Sequence, residues 1–299
     1  MTVRASDIGN DFRGELHENE LLAKHTSLKV GGPADLLAVP RDRGDLQILT
    51  SRLATLGVPW FILGGGYNLL VRDGGFRGAA ISLMHLTHLQ AGPDGTITAE
   101  AGVRNIDAAR LAEAHSLTGL EFLVGIPGTL GGAVRMNAGA HGGDIASVVT
   151  AVEILSGENI RQYPKNSLKF GYRSLQLAGN EIIISANFQL AAGRSDTISE
   201  TMDACLKKRQ ESQRVRYPNA GSFFKNPEGF AAWKLIDQAG LRGMAIGGAQ
   251  VSEIHTNFLV NRGGASTADF LALAAHIKDK VYAASGVLLE EEVQIIGEG

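Results

Sequence analysis

The sequence predicts an α+β fold, on three observations. Apolar runs of strand length (Trp60–Leu63, Ala79–Leu83, Thr96–Glu100, Val152–Leu155 and Ile182–Phe188) mix with helical stripes without regular alternation, which argues against a doubly wound parallel sheet. The 38 glycines far outnumber the 8 prolines and gather in short runs that interrupt apolar strands. Clustering of that kind fits backbone that turns sharply or lies close to a ligand. Finally, 299 residues with 44% apolar and 20% charged side chains describe an ordinary globular chain long enough for more than one domain.

The stretch to about Leu22 is polar and is expected to be only partly ordered. Asp45 to Leu56 sets Leu46, Leu49, Leu53 and Leu56 on one helical stripe, closed by Gly57 as a C-terminal cap. Trp60–Leu63 then reads as a short buried strand that runs directly into Gly64-Gly65-Gly66. Strands at Ala79–Leu83 and Thr96–Glu100 precede a helix from Asn105, its expected N-cap, to Leu117, with Gly119 just beyond. After the glycine-dense stretch Gly125–Gly143 come the strands at Val152–Leu155 and Ile182–Phe188. Small polar residues over Ala191–Ser199 mark the expected domain boundary. Thr197-Ile198-Ser199-Glu200 resembles a capping box that opens a helix through Lys207. Further helices are expected at Ala231–Gln238 and Ala268–Ala284, and strands at Asn257–Val260 and Glu292–Ile296.

Several function classes fall away on composition. A net charge of −3 gives no electrostatic support for nucleic-acid binding. No apolar run reaches the length of a membrane span. The acidic N-terminus (Asp7, Asp11, Glu15) lacks the hydrophobic segment of a secretory signal, which leaves the cytoplasm as the expected compartment. Cys205 is the only cysteine, so neither an internal disulfide nor a multi-thiolate metal site is available, and no metal is expected. With Ile198, Met202 and Leu206 on the same helical face, Cys205 reads as a small core residue.

Two loops could cradle phosphate: Gly64-Gly65-Gly66-Tyr67-Asn68 and Gly125-Ile126-Pro127-Gly128-Thr129. Both offer N–H groups little obstructed by side chains. Each could equally be a plain turn after a strand. Neither is followed by Gly-Lys-Ser or Gly-Lys-Thr, and Gly-x-Gly-x-x-Gly does not occur, so neither a P-loop nor a Rossmann site is predicted. The basic run Lys207-Lys208-Arg209 with Arg214 and Arg216 reads either as a solvated helix end or as a partner for a phosphorylated ligand.

Seven segments, in order and spanning nearly the whole chain from His25, resemble the UDP-N-acetylenolpyruvoylglucosamine reductase family. They are His25-Thr26-Ser27-Leu28-Lys29-Val30-Gly31-Gly32-Pro33-Ala34-Asp35, Leu63-Gly64-Gly65-Gly66-Tyr67-Asn68-Leu69-Leu70-Val71, and Gly125-Ile126-Pro127-Gly128-Thr129-Leu130-Gly131-Gly132-Ala133. Then follow Met136-Asn137-Ala138-Gly139-Ala140, Phe170-Gly171-Tyr172-Arg173, Asn219-Ala220-Gly221-Ser222-Phe223-Phe224-Lys225-Asn226-Pro227 and Leu289-Glu290-Glu291-Glu292-Val293.

The resemblance implies a PCMH-type FAD-binding region of two α+β subdomains, followed by a smaller α+β substrate-binding domain. On this sequence the division becomes an N-terminal segment over 1–24, the flavin region over 25–195 with its internal boundary near 85, and the substrate domain over 196–299. FAD would be held non-covalently by Gly64, Gly65, Gly66, Tyr67, Asn68, Leu69, Gly125, Ile126, Pro127, Gly128, Thr129, Gly132, Ala133, Asn137, Ala138 and Gly139. Implied reactants are NADPH and UDP-N-acetylglucosamine enolpyruvate, reduced to UDP-N-acetylmuramate for peptidoglycan, with no nucleic-acid, membrane or obligate protein partner.

By the same resemblance Arg173 polarises the substrate carboxylate, Glu292 assists in its protonated form, and Ser222 donates a proton. Tyr172, Lys225, Asn226, Gln250 and Asn257 would line the substrate. Each catalytic candidate also has a structural reading from residue type alone: Arg173 on a strand edge, Ser222 as a turn former, Glu292 in a solvated run of acids. His255 is expected to be a satisfied structural histidine. Two positions depart from the family pattern. Tyr67 stands where a serine is usual, which puts one phosphate contact in doubt, and Glu291 replaces a frequent proline. The short stretch after Arg173 places the chain in the branch without an inserted tyrosine loop. Two rivals remain on sequence alone, a PCMH-type flavin oxidase and a non-catalytic flavin-sensing module.

Overall fold

The computed structural model describes residues 2–213 and 215–299. Its first layer is a four-stranded sheet. Strand β1 (Glu15–Leu21) lies antiparallel to β2 (Pro33–Val39), and β2 is followed in parallel by β5 (Phe76–Ser82) and β3 (Trp60–Leu63). β2 is buried along nearly its whole length, as a strand flanked on both sides must be. Helix α2 (Arg43–Thr55) covers one face with Leu46, Leu49 and Leu53, its N-terminus capped by Asp42. Gly57, at φ +64°, closes it in the left-handed conformation expected.

The N-terminal stretch departs from expectation. It is ordered: Val3, Ile8 and Phe12 are buried in the first core, and β1 pairs with β2 from Glu15 to Leu21. Its polar composition belongs to an edge strand with one side in water, not to an unstructured tail.

The second layer is a five-stranded antiparallel sheet in the order β9 (Asn159–Pro164), β8 (Val149–Ser156), β12 (Glu181–Gln189), β7 (Thr96–Glu100), β6 (Leu89–Ala91). Along β12 Ile182 and Ile184 go to the first core and Ile183, Ala186 and Phe188 to a second, the facing parity switching at the register shift where Ile183 lies opposite Ile154 and Ser185 opposite Glu153. Helices α3 (Asn105–Ala114) and α4 (Leu130–Arg135) cover the second face, together with α5 (Ser195–Gln213). Arg43 ties the two layers together, with Nε 2.7 Å from Glu100 and Nη1 3.0 Å from Glu153.

One further expectation changes here. α5 begins at Ser195, upstream of the proposed Thr197 cap. Through Ile198, Met202 and Cys205 it packs into the second core. The composition dip at 191–199 marks a connection on the surface, because only an apolar stripe decides which core a helix joins. Cys205 is buried there as expected.

The third unit packs α6 (Ala232–Gln238) and α7 (Thr267–Ser285) against a sheet in the order β13 (Asn219–Ser222), β16 (Phe258–Asn261), β15 (Ala249–Val251), β14 (Ala245–Ile246). Leu28, Val30 and Leu70 from the first layer complete its core. The chain end then returns: β17 (Gln294–Ile296) runs parallel to β4 (Leu69–Val71), directly after the first glycine loop. Asp73 beyond β4 accepts from the first N–H groups of α7, Thr267 at 2.8 Å and Ala268 at 2.9 Å. Asp73→Ala is therefore expected to lower stability by about 1–2 kcal/mol, read as a lower denaturant midpoint at unchanged slope. Among the described residues no helix is long and apolar enough to cross a membrane.

Candidate active site

The two glycine loops face one another. A Cβ on Gly65 would come within 3.0 Å of the Gly128 Cα, and one on Gly64 within 3.3 Å of Thr129 Oγ1. Gly66, at φ +67°, is held under the His25 carbonyl, where any Cβ would collide. Among the described residues no backbone carbonyl or side chain accepts from the N–H of Gly64, Gly65, Tyr67, Gly128 or Thr129. Converging unpartnered donors with little side-chain bulk form a cradle for a dianionic pyrophosphate. That is the observation by which these loops fit FAD.

Not every expected cofactor residue reaches this surface. Gly64, Gly65, Tyr67, Pro127 and Gly132 are exposed and Gly128 and Thr129 partly so, while Leu69, Gly125, Ala133 and Ala138 are buried behind them. Ile126 is braced from within, its carbonyl accepting from Asn105 Nδ2 at 3.1 Å. Asn105 is therefore not the N-cap of α3, which is Arg104. It holds the second loop in shape, its own N–H bonded to the Gly128 carbonyl. Asn137 is also a strut. Its Nδ2 donates to Gly171 O at 3.1 Å and its Oδ1 accepts from Ala146 N at 2.9 Å, which fixes the hairpin that carries Arg173. The Asn137 amide is satisfied at both ends, as a buried amide usually is, whereas Asn105 Oδ1 is buried without a partner among the described residues.

Tyr67 is 45% exposed and its ring lies across Gly65 and Gly128, so it covers the cradle with carbon where a serine would present a hydroxyl. The basic run divides. Lys207, Lys208 and Arg216 are exposed, and Arg214 lies outside the described residues. Arg209 turns inward against Gly125. Burial pulls its guanidinium below the usual range, partly offset by Tyr67. Its environment is that of a cation beside the phosphate cradle, not of a solvated helix end.

Arg173 stands at the tip of a two-residue hairpin between β10 (Phe170–Gly171) and β11 (Ser174–Leu175), at φ +54°. Glycine is the usual occupant of that conformation, so about 1 kcal/mol of backbone strain is tolerated to aim this side chain. Nη1 donates to the Gly139 carbonyl at 3.1 Å, and Nε lies 3.2 Å from Glu292 Oε1. Among the described residues the Nε–H, not aligned on that oxygen, has no hydrogen-bond partner, so the contact is chiefly Coulombic and the donor remains open. Tyr172, the exposed neighbour in the turn, stacks its ring 5.5 Å from the guanidinium.

Glu292 approaches from the returning C-terminal strand. Its N–H donates to Phe223 O at 2.8 Å, and its carbonyl accepts from Asn68 Nδ2 at 3.1 Å. Asn68 is thereby a link from the first glycine loop to the acid. Burial pushes the Glu292 carboxyl above the ordinary carboxylate range, opposed by Arg173 and more weakly by Lys225. The run of three acids is not a solvated end: Glu290 meets Lys225, Glu291 meets Lys278 and Glu292 meets Arg173.

Ser222 closes β13 opposite Phe258, after Gly221 at φ +73°. It immediately precedes Phe223, the acceptor for Glu292, so hydroxyl and carboxyl sit on neighbouring strands. The half-buried Ser222 makes no side-chain hydrogen bond among the described residues. Thus the structure brings Arg173 and Glu292 into contact and sets Ser222 one residue from the backbone partner of Glu292, from three separate elements.

The remaining substrate candidates divide. Lys225 pairs with Glu290 at 2.8 Å, and Asn226 Oδ1 accepts from Ala232 N at the start of α6. Asn257 is buried with both amide ends on Phe224, at 2.9 and 2.8 Å, so it supports the Ser222–Phe224 segment and does not face a ligand. Gln250 is likewise engaged by Gly243 O and Arg262. His255 differs from expectation: its Nδ1 is buried without a partner, and burial lowers its pKa. Sequence reasoning assigned no individual site role to Asn105, Met136 or Gln294. Met136 Sδ receives both Asn68 and Gln294 at 3.6 Å, and the pairing of 68–71 with 294–296 that creates this contact has no local signature. Among the described residues no group of three or more His, Cys, Asp and Glu could hold a metal.

Comparison with known proteins points the same way. Residues 34–159 match an FAD binding domain, and residues 213–296 match the UDP-N-acetylenolpyruvoylglucosamine reductase C-terminal domain. A protein of Geotalea uraniireducens named UDP-N-acetylenolpyruvoylglucosamine reductase is 56% identical over 96% of this chain and 95% of its own. One of Geobacter sulfurreducens with the same name is 52% identical over 98% of each. The crystal structure of the Thermus caldophilus reductase superposes with a TM-score of 0.81 at 32% identity, covering 95% of this chain and 98% of that one.

Proposed function

The chain belongs to the UDP-N-acetylenolpyruvoylglucosamine reductase family, and from that premise we propose that it reduces UDP-N-acetylglucosamine enolpyruvate to UDP-N-acetylmuramate, with NADPH as reductant and FAD held non-covalently. The single observation that supports the reading is the Arg173–Glu292 pair, with Ser222 one residue from the backbone partner of Glu292.

Gly64, Gly65, Tyr67, Gly128 and Thr129 would bind the FAD pyrophosphate through their free N–H groups, with Arg209 as the nearby cation. FAD held there would supply hydride transfer, from NADPH to the outer enolpyruvyl carbon. Negative charge then develops on the inner carbon and spreads into its carboxylate. Arg173 meets that charge with a planar fork whose Nε–H is already open. Glu292, as the neutral acid favoured by its burial, donates a hydrogen bond where an anion would repel the substrate. Ser222 Oγ delivers the proton to the inner carbon, a transfer suited to so weak an acid only because the acceptor is strongly basic. Lys225, and Asn226 through its free Nδ2, would take the anionic and hydroxyl groups of the UDP-sugar, with Tyr172 at the rim. The flavin region on this reading spans the two N-terminal layers through α5, and the substrate domain begins after it.

The test is direct. The purified protein should be yellow, and NADPH should be consumed stoichiometrically with the enolpyruvyl UDP-sugar. Rapid NADPH oxidation with oxygen alone would point instead to an oxidase.

A further inference from the structure

Glu290 has no place in the reaction just described, yet it is not idle. Its Oε1 lies 2.8 Å from Lys225 Nζ, although three-quarters of its side chain is exposed. The backbones of the two residues are joined as well, Lys225 N donating to Glu290 O at 2.8 Å. The same ladder continues through the Phe224–Glu291 bridge to Glu292 N on Phe223 O. Alternate residues of a strand share a face. The Lys225–Glu290 pair therefore stands one ladder step, about 7 Å, from Glu292.

Resting on the reductase reading, we propose that Glu290 is a positioning residue: it pins and neutralises the Lys225 ammonium beside Glu292, so that Glu292 keeps its proton while Lys225 stays placed for the substrate. An uncompensated ammonium at that distance favours a carboxylate over a carboxylic acid. Lys225 does act on Glu292 in that direction. A carboxylate in contact with the ammonium cancels most of its field one step away. The other charged groups around Glu292 do not substitute for Glu290. Arg173, from the 170–175 hairpin, is itself a cation, and Glu291 is turned to Lys278 of α7. The glycine loop contributes only the neutral Asn68.

The measurement is reoxidation of the pre-reduced holoenzyme by saturating enolpyruvyl UDP-sugar, followed across pH. Glu292 must be protonated, so its ionisation sets the basic limb. In Glu290→Gln the freed Lys225 charge lowers the Glu292 pKa, and the limb moves to lower pH by about half a unit. In Lys225→Met it moves to higher pH. Adding Glu290→Gln to Lys225→Met should move it no further, because Glu290 acts through Lys225. An unmoved limb in Glu290→Gln, or the same downward displacement in the Lys225→Met background, would overturn the proposal, as would an equal displacement from Glu291→Gln. If the unmodified holoenzyme is not reoxidised by this substrate at any pH, the reductase reading itself fails.

Discussion

Ser222→Ala is expected to leave flavin reduction by NADPH close to normal and to slow reoxidation by the enolpyruvyl substrate by about a thousandfold. Two features make the change selective. Among the described residues the hydroxyl has no hydrogen-bond partner, so its removal orphans nothing and should cost no more than about 0.5 kcal/mol of stability. The strand that carries it is held by backbone pairing at Ser222–Phe258 and by Asn257 on Phe224, neither of which needs the side chain. Stopped-flow absorbance of the flavin separates the two half-reactions. Equal slowing of both would remove Ser222 from its role as proton donor.

Arg173→Lys should reduce the second half-reaction by about a hundredfold or more. An ammonium retains the charge but has no planar fork, and it abandons either the Gly139 carbonyl or the substrate carboxylate. Glu292 supplies an internal control. Arg173 holds the Glu292 carboxyl down against the effect of burial. Weakening that contact raises its pKa, so the basic limb of the rate profile should move to higher pH while the rate falls throughout. Loss through ionisation of Glu292 would move the limb the other way. Misfolding is separable too, because Arg173→Gly relieves the left-handed strain at φ +54° and should fold at least as stably while remaining inactive. Unchanged flavin reoxidation in Arg173→Lys would defeat the carboxylate clamp.

Much of this was legible in the chain. The strands at 60–63, 96–100, 152–155 and 182–188 and the helices at 45–56, 231–238 and 268–284 all lie within or nearly coincide with observed elements, because their apolar periodicity is local. Where expectation failed, a distant partner had decided. β1 is ordered by β2, and α5 is claimed by the second core through Ile198, Met202 and Cys205. Asn105, a good cap by residue type, is drawn away by the Ile126 carbonyl. In the site, Asn137 and Asn257 lie in the right segments, but their amides serve the scaffold.

The sequence by itself determined which chemistry is available: glycine loops with bare N–H groups, one arginine, one serine, and a glutamate in an acidic run. Residue type alone could not say which of three adjacent acids faces the arginine, which only the family resemblance singled out, nor that each has its own cation. The tertiary structure decided that, by pairing β17 with β4 and laying residues 290–293 along 223–225. Strand register sends Glu291 to one side and Glu290 and Glu292 to the other, and burial then raises the pKa of Glu292 against the pull of Arg173.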